Sequence, residues 1–223
     1  MLTAFLPCRR GSQRIPDKNI KPFAGVANGL IEIKLNQLIA CDLIDVIMLS
    51  SNDARILEYA QRRHCSKILI DERPDWLGSS DTTTDQLIEY VPSIISNGDV
   101  LWTHVTSPFI KEEDYSAAVQ LFYQKLNEGY DSLMTAKALY AFLWNEKGSI
   151  NYNREIEKWP RTQTLQPVYE IDSGIFINNI QCYQQYKDRI GHKPYILVQE
   201  ADKSIDIDWP QDFVFAEERW SKK

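Results

Sequence analysis

The chain has 223 residues, 43% of them hydrophobic and 25% charged, with a formal net charge of −6. That length allows one sizeable α/β domain with its own core and leaves little room for a second, and the composition excludes disorder as the default state. The acidic balance argues against a general nucleic-acid binder, and no apolar run approaches the length of a membrane span.

Leu2 to Leu6 is a continuous apolar run and predicts a buried first strand. Polar residues follow it too early for the apolar segment of a signal peptide, so a cytoplasmic location is expected. Beyond Leu6 the pattern stops, and Arg9, Arg10, Arg14 and Lys18 crowd into one short segment with Gly11 and Ser12. A solvated basic loop is the plain reading. Two points favour an anion-binding loop instead. A local surplus of cations in an acidic chain needs a reason, and the segment leaves the end of a strand, where open α/β sheets bind ligands. Gly11 lets backbone approach a ligand, and turn amides can point at phosphate oxygens while the cations neutralise charge. Cys8, Cys41, Cys65 and Cys182 are scattered, with no histidine at ligand spacing. Neither a disulfide framework nor a zinc site is expected, and Cys8 reads as an inert residue at a strand end.

Leu30 to Ile39 has helical apolar spacing, Val46 to Ser50 reads as a strand, Asp53 caps a helix running to about Arg62, and Lys67 to Ile70 is a short strand. This alternation predicts an α/β fold with a mostly parallel central sheet covered by helices on both faces. Asp71 to Asp85 is a polar loop expected to lack structure of its own, and loops of that length are often functional. Its end caps a helix from about Thr84 to Ser96. Val100 to Val105 predicts a central strand ending in Thr106-Ser107-Pro108-Phe109. Glu112 to Glu128, acidic in its first turn, predicts a covering helix, and Asp131 to Ala136 a returning strand. From Tyr140 to Pro167 the chain is rich in Trp, Tyr, Asn, Arg and Glu without a clean period, and reads as an extended excursion from the core. Gly174 suits close approach of a ligand or a second backbone. Asp206 and Asp208, two apart, share a strand face and can present both carboxylates to one hard cation, although such a pair can merely edge a strand.

Arg9, Gly11, Ser12, Arg14, Ile15, Pro16, Lys18 and Asn19, in that order, resemble the N-terminal signature of the CMP-sialic acid synthetases, the acylneuraminate cytidylyltransferase family. Further segments are similar to the family's in the same order: Arg73-Pro74 followed by Ser80-Asp81-Thr82, then Thr106-Ser107-Pro108, Pro160-Arg161-Thr162-Gln163, Gly174 to Asn178, and Ser204 to Asp208. One departure is His104, where the family carries glutamine. The resemblance implies a nucleotide-diphospho-sugar transferase-like fold, one cytidylyltransferase domain over residues 1–223, and an excursion at 138–172 that mediates homodimerisation and acceptor binding. It implies transfer of CMP from CTP to the anomeric hydroxyl of a sialic acid-like nonulosonate, with release of pyrophosphate.

Carried over residue by residue, the resemblance makes Arg9, Lys18, Asp206 and Asp208 the catalytic group, the two aspartates holding Mg²⁺. Gly11, Ser12, Arg14 and Asn19 complete the phosphate loop. Arg73 and hydroxyls among Ser80, Thr82, Thr83 and Thr84 fall near the cytidine. On the acceptor side are His104, Thr106, Ser107, Arg161, Gln163 and Gly174, with Arg161 suited to the acceptor's carboxylate because a planar guanidinium binds carboxylate bidentately. His104 could hydrogen-bond the acceptor or the ribose, or accept a proton, in which case activity falls through a group near the unperturbed value of about 6.5. The partners implied are CTP and a small acidic sugar, with no nucleic acid and no membrane. Alternative readings are cytidylyl transfer to 3-deoxy-manno-octulosonate or a small hydroxy or phosphoryl compound, and a nucleotide-binding module without turnover.

Overall fold

The computed structural model describes residues 1–79 and 81–222. Its centre is β1 (Leu2–Cys8), whose residues are buried almost throughout. A strand that reads as unbroken hydrophobics is one covered on both faces, and β1 has neighbours on both edges as well. It pairs in parallel with β2 (Val46–Ser51) on one side and with β4 (Asp99–Trp102) on the other. The seven-stranded sheet runs β3-β2-β1-β4-β8-β5-β9, with β3 at Ile68–Glu72, β5 at Ser132–Leu139, β8 at Val168–Asn179 and β9 at Pro194–Val198. Only β8 is antiparallel to its neighbours.

Helices cover both faces, as alternation of strand and helix predicts. Helices α1 (Gly29–Ala40), α2 (Ala54–Arg62), α4 (Glu112–Asn127) and α6 (Pro210–Trp220) contribute Leu30, Ile56, Tyr115 and Phe213 to the larger apolar cluster. The helices α3 (Thr84–Ile94) and α5 (Ile180–Tyr186) close the other face with Leu87, Ile88, Val91, Ile180 and Tyr183 against Phe5, Trp102 and Phe176. Two helix starts follow directly from local chemistry. The Asp53 carboxylate accepts from Arg55 N, and Thr83 and Gln86 form a reciprocal capping box.

The chain leaves β1 for β2 on one side and reaches β4 on the other, so the strand order reverses between β1 and β4. In open α/β sheets the crevice beyond the carboxyl ends of such a pair is where ligands bind. The segments leaving β1 and β4 are the cationic loop and the Thr103 to Phe109 turn.

Several boundaries differ from expectation. Strand β4 stops at Trp102 rather than at Val105, because Thr103 Oγ1 donates to Gly174 O at 2.7 Å and His104 Nδ1 meets Ser173 O at 2.8 Å, which draws the chain out of the ladder. The 71–85 segment is less bare than expected: β3 extends through Glu72 and Asp75–Leu77 forms a 3₁₀ turn. Residues 140–167 do leave the core, carrying only the short hairpin β6 (Trp144–Asn145) and β7 (Gly148–Ser149) and a 3₁₀ turn at Thr162–Thr164. Among the described residues no helix is long and apolar enough to cross a membrane.

Candidate functional site

A cavity of about 480 Å³ lies at the β1/β4 edge of the sheet, within the range of small-molecule sites. Arg9, Ser12, Arg14, Lys18 and Asn19 line it from the loop after β1. Gly11 sits at the loop's apex with φ of +78°, a left-handed conformation that a side chain would strain. Asn19 Nδ2 donates to Arg9 O at 3.2 Å and ties the two ends of the loop together. Arg10 does not line the cavity, and its backbone N–H donates to Asn52 Oδ1 at 2.8 Å.

From the far end of the chain, Asp206 and Asp208 line the same cavity. They lie in an irregular segment between β9 and α6, held because Ile207 N donates to Thr106 O at 2.9 Å. Lys18 is the link between the two ends of the sequence: it is 9% exposed, and its Nζ donates to Ile207 O at 2.5 Å and to Asp208 Oδ1 at 3.3 Å. Arg14 Nη2 stands 3.4 Å from the same Asp208 oxygen. Asp206 is differently placed. Its Oδ1 is buried with no hydrogen-bond partner among the described residues. Burial, reinforced by the Asp208 charge, pushes its carboxyl up to about 6, against the Thr106 hydroxyl and Lys18, which hold it down.

The 71–85 segment and the start of α3 supply a third wall. Arg73, 4% exposed, lines the cavity while its Nε and Nη2 donate to Ser50 Oγ at 3.0 Å and Ser50 O at 2.8 Å. Burial pushes its guanidinium below the ordinary arginine value. Thr82, Thr83 and Thr84 line the wall as well, the Thr83 hydroxyl being occupied as the α3 cap. Ser80 lies outside the described residues.

On the β4 side, Trp102, His104, Thr106 and Ser173 face the cavity. His104 has both ring nitrogens engaged: Nε2 accepts from Trp102 Nε1–H at 2.9 Å, so Nδ1 carries the proton and donates to Ser173 O at 2.8 Å. Burial pushes its pKa down to about 4, against the Ser173 carbonyl, with Arg189, Lys34 and Lys18 adding to the depression. No lone pair is left to take a proton or a ligand hydrogen bond in this arrangement. The proton-accepting role considered from sequence is therefore replaced by one in which a neutral ring braces the cavity wall.

Other expected residues fall elsewhere. Ser107 is buried away from the cavity, where its carbonyl accepts from Lys34 Nζ at 2.8 Å. Gly174 does not face a ligand: a Cβ there would meet Ile110 Cδ1 at 2.5 Å and the side chains of Asp172 and Thr135 at 3.0 Å. The close approach expected of this glycine is to its own core, and the cavity residue is its neighbour Ser173, held at φ of +58°. Arg161 and Gln163 are exposed, and neither lines the cavity. Cys8 is buried behind the loop with its thiol pushed up to about 12 by burial, which fits an inert residue. Sequence reasoning missed Trp102, Leu87 and Ser173 as wall residues. Trp102 carried a signal, since in the strand expected over Val100 to Val105 it shares a face with His104 two residues on.

Cationic donors on one side and carboxylates on the other suit a polyphosphate whose charge is shared between fixed cations and a bound metal. A cytidylyltransferase family profile matches residues 3–218. The chain belongs to the cytidylyltransferase family. Within that family it is 25% identical over 215 residues to the N-acylneuraminate cytidylyltransferase of Streptococcus agalactiae, covering 94% of this chain and 51% of that protein. The chain thus spans about half the length of this streptococcal relative. It is 27% identical over 225 residues to the pseudaminic acid cytidylyltransferase of Campylobacter jejuni, covering 95% of this chain and 93% of that one. Its fold is similar to that of CMP:2-keto-3-deoxy-manno-octonic acid synthetase, solved in complex with CTP, with a TM-score of 0.69, 15% identity, and coverage of 99% and 98% of the two chains. The mostly parallel sheet covered by helices on both faces, expected from the sequence, is thus the fold observed, and it is similar to the fold of that synthetase.

Proposed function

We propose that the chain is a CTP-dependent cytidylyltransferase that moves CMP to the anomeric hydroxyl of a sialic acid-like nonulosonate and releases pyrophosphate. The observation that carries this reading is the convergence of Arg9, Arg14 and Lys18 with Asp206 and Asp208 on one cavity. In the reaction the anomeric hydroxyl oxygen attacks the α-phosphorus and gives up its proton to water, a new P–O bond forms, the α–β bridging bond breaks, and pyrophosphate leaves with its electron pair. The obstacle is charge: the triphosphate repels an oxygen nucleophile, and the leaving group is itself anionic. Catalysis then rests on positioning and on fixed positive charge.

Arg9, Arg14 and Lys18 neutralise the β- and γ-phosphates, while the turn at Gly11 presents backbone amides to them. Asn19 holds this loop in shape through Arg9 O. Arg73 and the threonine wall border the cytidine. The donor set also fits Mg²⁺, since the buried, unpartnered Oδ1 of Asp206 is an oxygen in need of a cation. Among the described residues no group of three or more His, Cys, Asp or Glu side chains forms a cage, so a magnesium ion held by Asp206 and Asp208 would fill its remaining positions with phosphate oxygens and water. Bound there, the ion supplies further charge neutralisation on the nucleotide phosphates.

Residues 1–223 form a single cytidylyltransferase domain on this reading, with 138–172 as the excursion that meets a second copy. Exposure of Trp144, Ile156 and Trp159 on that excursion supports a homodimer, because apolar groups clustered at a surface mark contact sites. Arg161 and Gln163, outside this chain's cavity, would then serve a neighbouring site. A cytoplasmic setting is consistent with the four free cysteines. The test is pyrophosphate release from CTP in the presence of a panel of acceptors: N-acetylneuraminate, pseudaminic acid, N,N'-diacetyllegionaminic acid and 3-deoxy-manno-octulosonate. Release that depends on one of the first three supports the proposal. Release only with the last transfers the reading to the octulosonate alternative, and tight CTP binding with no acceptor-dependent release points to a binding module.

A further inference from the structure

Trp209 is a large aromatic side chain left half in water, beside the cavity but not part of its wall. It stands between Asp208, which does line the cavity, and the first turn of α6. One carboxylate fixes its backbone together with that of its neighbour: Asp212 Oδ2 accepts from Asp208 N at 3.1 Å and from Trp209 N at 2.7 Å. The Asp208 carboxylate and the Trp209 indole are thus carried by one clamped turn, and both reach the same cation. Arg14 Nη2 is 3.4 Å from Asp208 Oδ1, and Arg14 Cζ lies over the indole, 4.9 Å from the ring centroid. Among the described residues these are the only ion pair and the only ring contact of that guanidinium, and Arg14 lines the cavity.

The two contacts differ in what they leave free. Arg14 and Asp208 are each nearly half exposed, so their attraction is screened, and the same Asp208 oxygen also serves Lys18 Nζ at 3.3 Å. An ion pair shared in this way is a weak tether for a long side chain, and on the cytidylyltransferase reading Asp208 is also wanted by the metal ion. The indole face has no such rival. It attracts the cation about as strongly as a surface ion pair does, yet offers no acceptor in the plane of the guanidinium, so the N–H donors stay available to a phosphate. Lys18 needs no seat of this kind, being buried and anchored on Ile207 O. We infer that Trp209 is a positioning residue for the nucleotide: its indole face seats Arg14 at the cavity, so that the guanidinium meets the β- or γ-phosphate rather than bulk water. The inference rests on the cytidylyltransferase reading given above, and Trp209 acts in it through Arg14 alone.

The test compares Trp209→Leu, which keeps apolar bulk but removes the ring face, with Trp209→Phe, which keeps a ring, and with Arg14→Met alone and combined with Trp209→Leu. For each purified full chain, affinities for CTP and for CMP, which lacks the β- and γ-phosphates, are measured by calorimetry in one magnesium buffer. Trp209→Leu should weaken CTP binding by about 2- to 5-fold, the worth of an exposed cation–π contact, with CMP affinity unchanged and recovery in Trp209→Phe. Arg14→Met should weaken CTP binding at least as much, and adding Trp209→Leu to it should cost nothing further, because two residues that act through one contact are not additive. A merely structural role of Trp209 would lower CMP affinity along with that for CTP and would persist in the Arg14→Met background, and either result overturns the inference. It is overturned as well by a Trp209→Leu or an Arg14→Met that binds CTP as wild type does, or by a Trp209→Phe no better than Trp209→Leu. In each of those cases CTP binding by wild type leaves the transferase reading intact, whereas a wild type that binds no CTP removes that reading and this inference together.

Discussion

Replacing His104 with Gln separates a structural brace from an acid–base catalyst. The imidazole is held neutral, its pKa pushed from the ordinary 6.5 to about 4 mainly by burial. A base with a depressed folded pKa makes the unfolded state bind more protons between those two values, so it costs the folded protein stability as pH falls from about 6.5 towards 4 and costs nothing above that window. A shift of that size corresponds to about 3 kcal/mol at full extent, of which about 2 kcal/mol falls between pH 7 and pH 5. A glutamine amide can replace both hydrogen bonds, donating its NH₂ to Ser173 O and accepting from Trp102 Nε1–H, without a titrating group. Urea denaturation of wild type and His104→Gln across pH 5 to 7 reads the difference directly. The variant should match wild type near pH 7 and be more stable at pH 5 by about 2 kcal/mol. Its activity should keep the wild-type pH profile. Parallel stability curves, or loss in the variant of a kinetic ionisation near neutral pH, would refute this placement of His104.

Lys18→Met keeps the aliphatic stem but removes the charge that joins the loop to Ile207 O, and CTP affinity measured by calorimetry should fall by about 10- to 100-fold, the worth of one charge-assisted contact. An affinity within twofold of wild type counts against a phosphate role. Asp206→Asn should abolish pyrophosphate release while leaving thermal stability equal or higher, because a buried, unpartnered carboxylate is relieved of its charge. Full turnover in that variant would remove Asp206 from the site. Gly174→Ala should destabilise the fold by about 1–3 kcal/mol in denaturation, since its methyl would overlap Ile110, and CTP affinity at low temperature should be retained. A fully stable Gly174→Ala would show that the core yields more readily than its spacing implies.

The central layout was legible because it rests on strong local patterns. An unbroken apolar strand followed at once by four cations is hard to place anywhere but at the end of a covered strand, and that is where the loop lies. The cap at Asp53, and a cap at the end of the 71–85 segment that the structure assigns to Thr83, were legible because a side-chain oxygen near a helix start serves its own backbone. Other elements had weak signals. The helix α5 has seven residues, and β9 is a five-residue edge strand opening on proline, both too short for periodicity to speak. His104 and Gly174 show a different limit. Sequence flagged both as unusual, but the partners that decide their roles, Ser173 across the sheet for one and Ile110 for the other, are remote in the chain. The Asp206 oxygen, without a hydrogen-bond partner among the described residues, belongs to the same class, since lack of a partner is a property of the fold and not of a motif.

The most direct measurement is a crystal structure of the chain soaked with CTP and magnesium. The triphosphate should lie between Arg9 and Lys18 on one side and Asp206 and Asp208 on the other, with a metal ion on the Asp206 oxygen that has no hydrogen-bond partner among the described residues. Nucleotide density away from that crevice, or phosphates contacting neither the cationic loop nor the two aspartates, would contradict it.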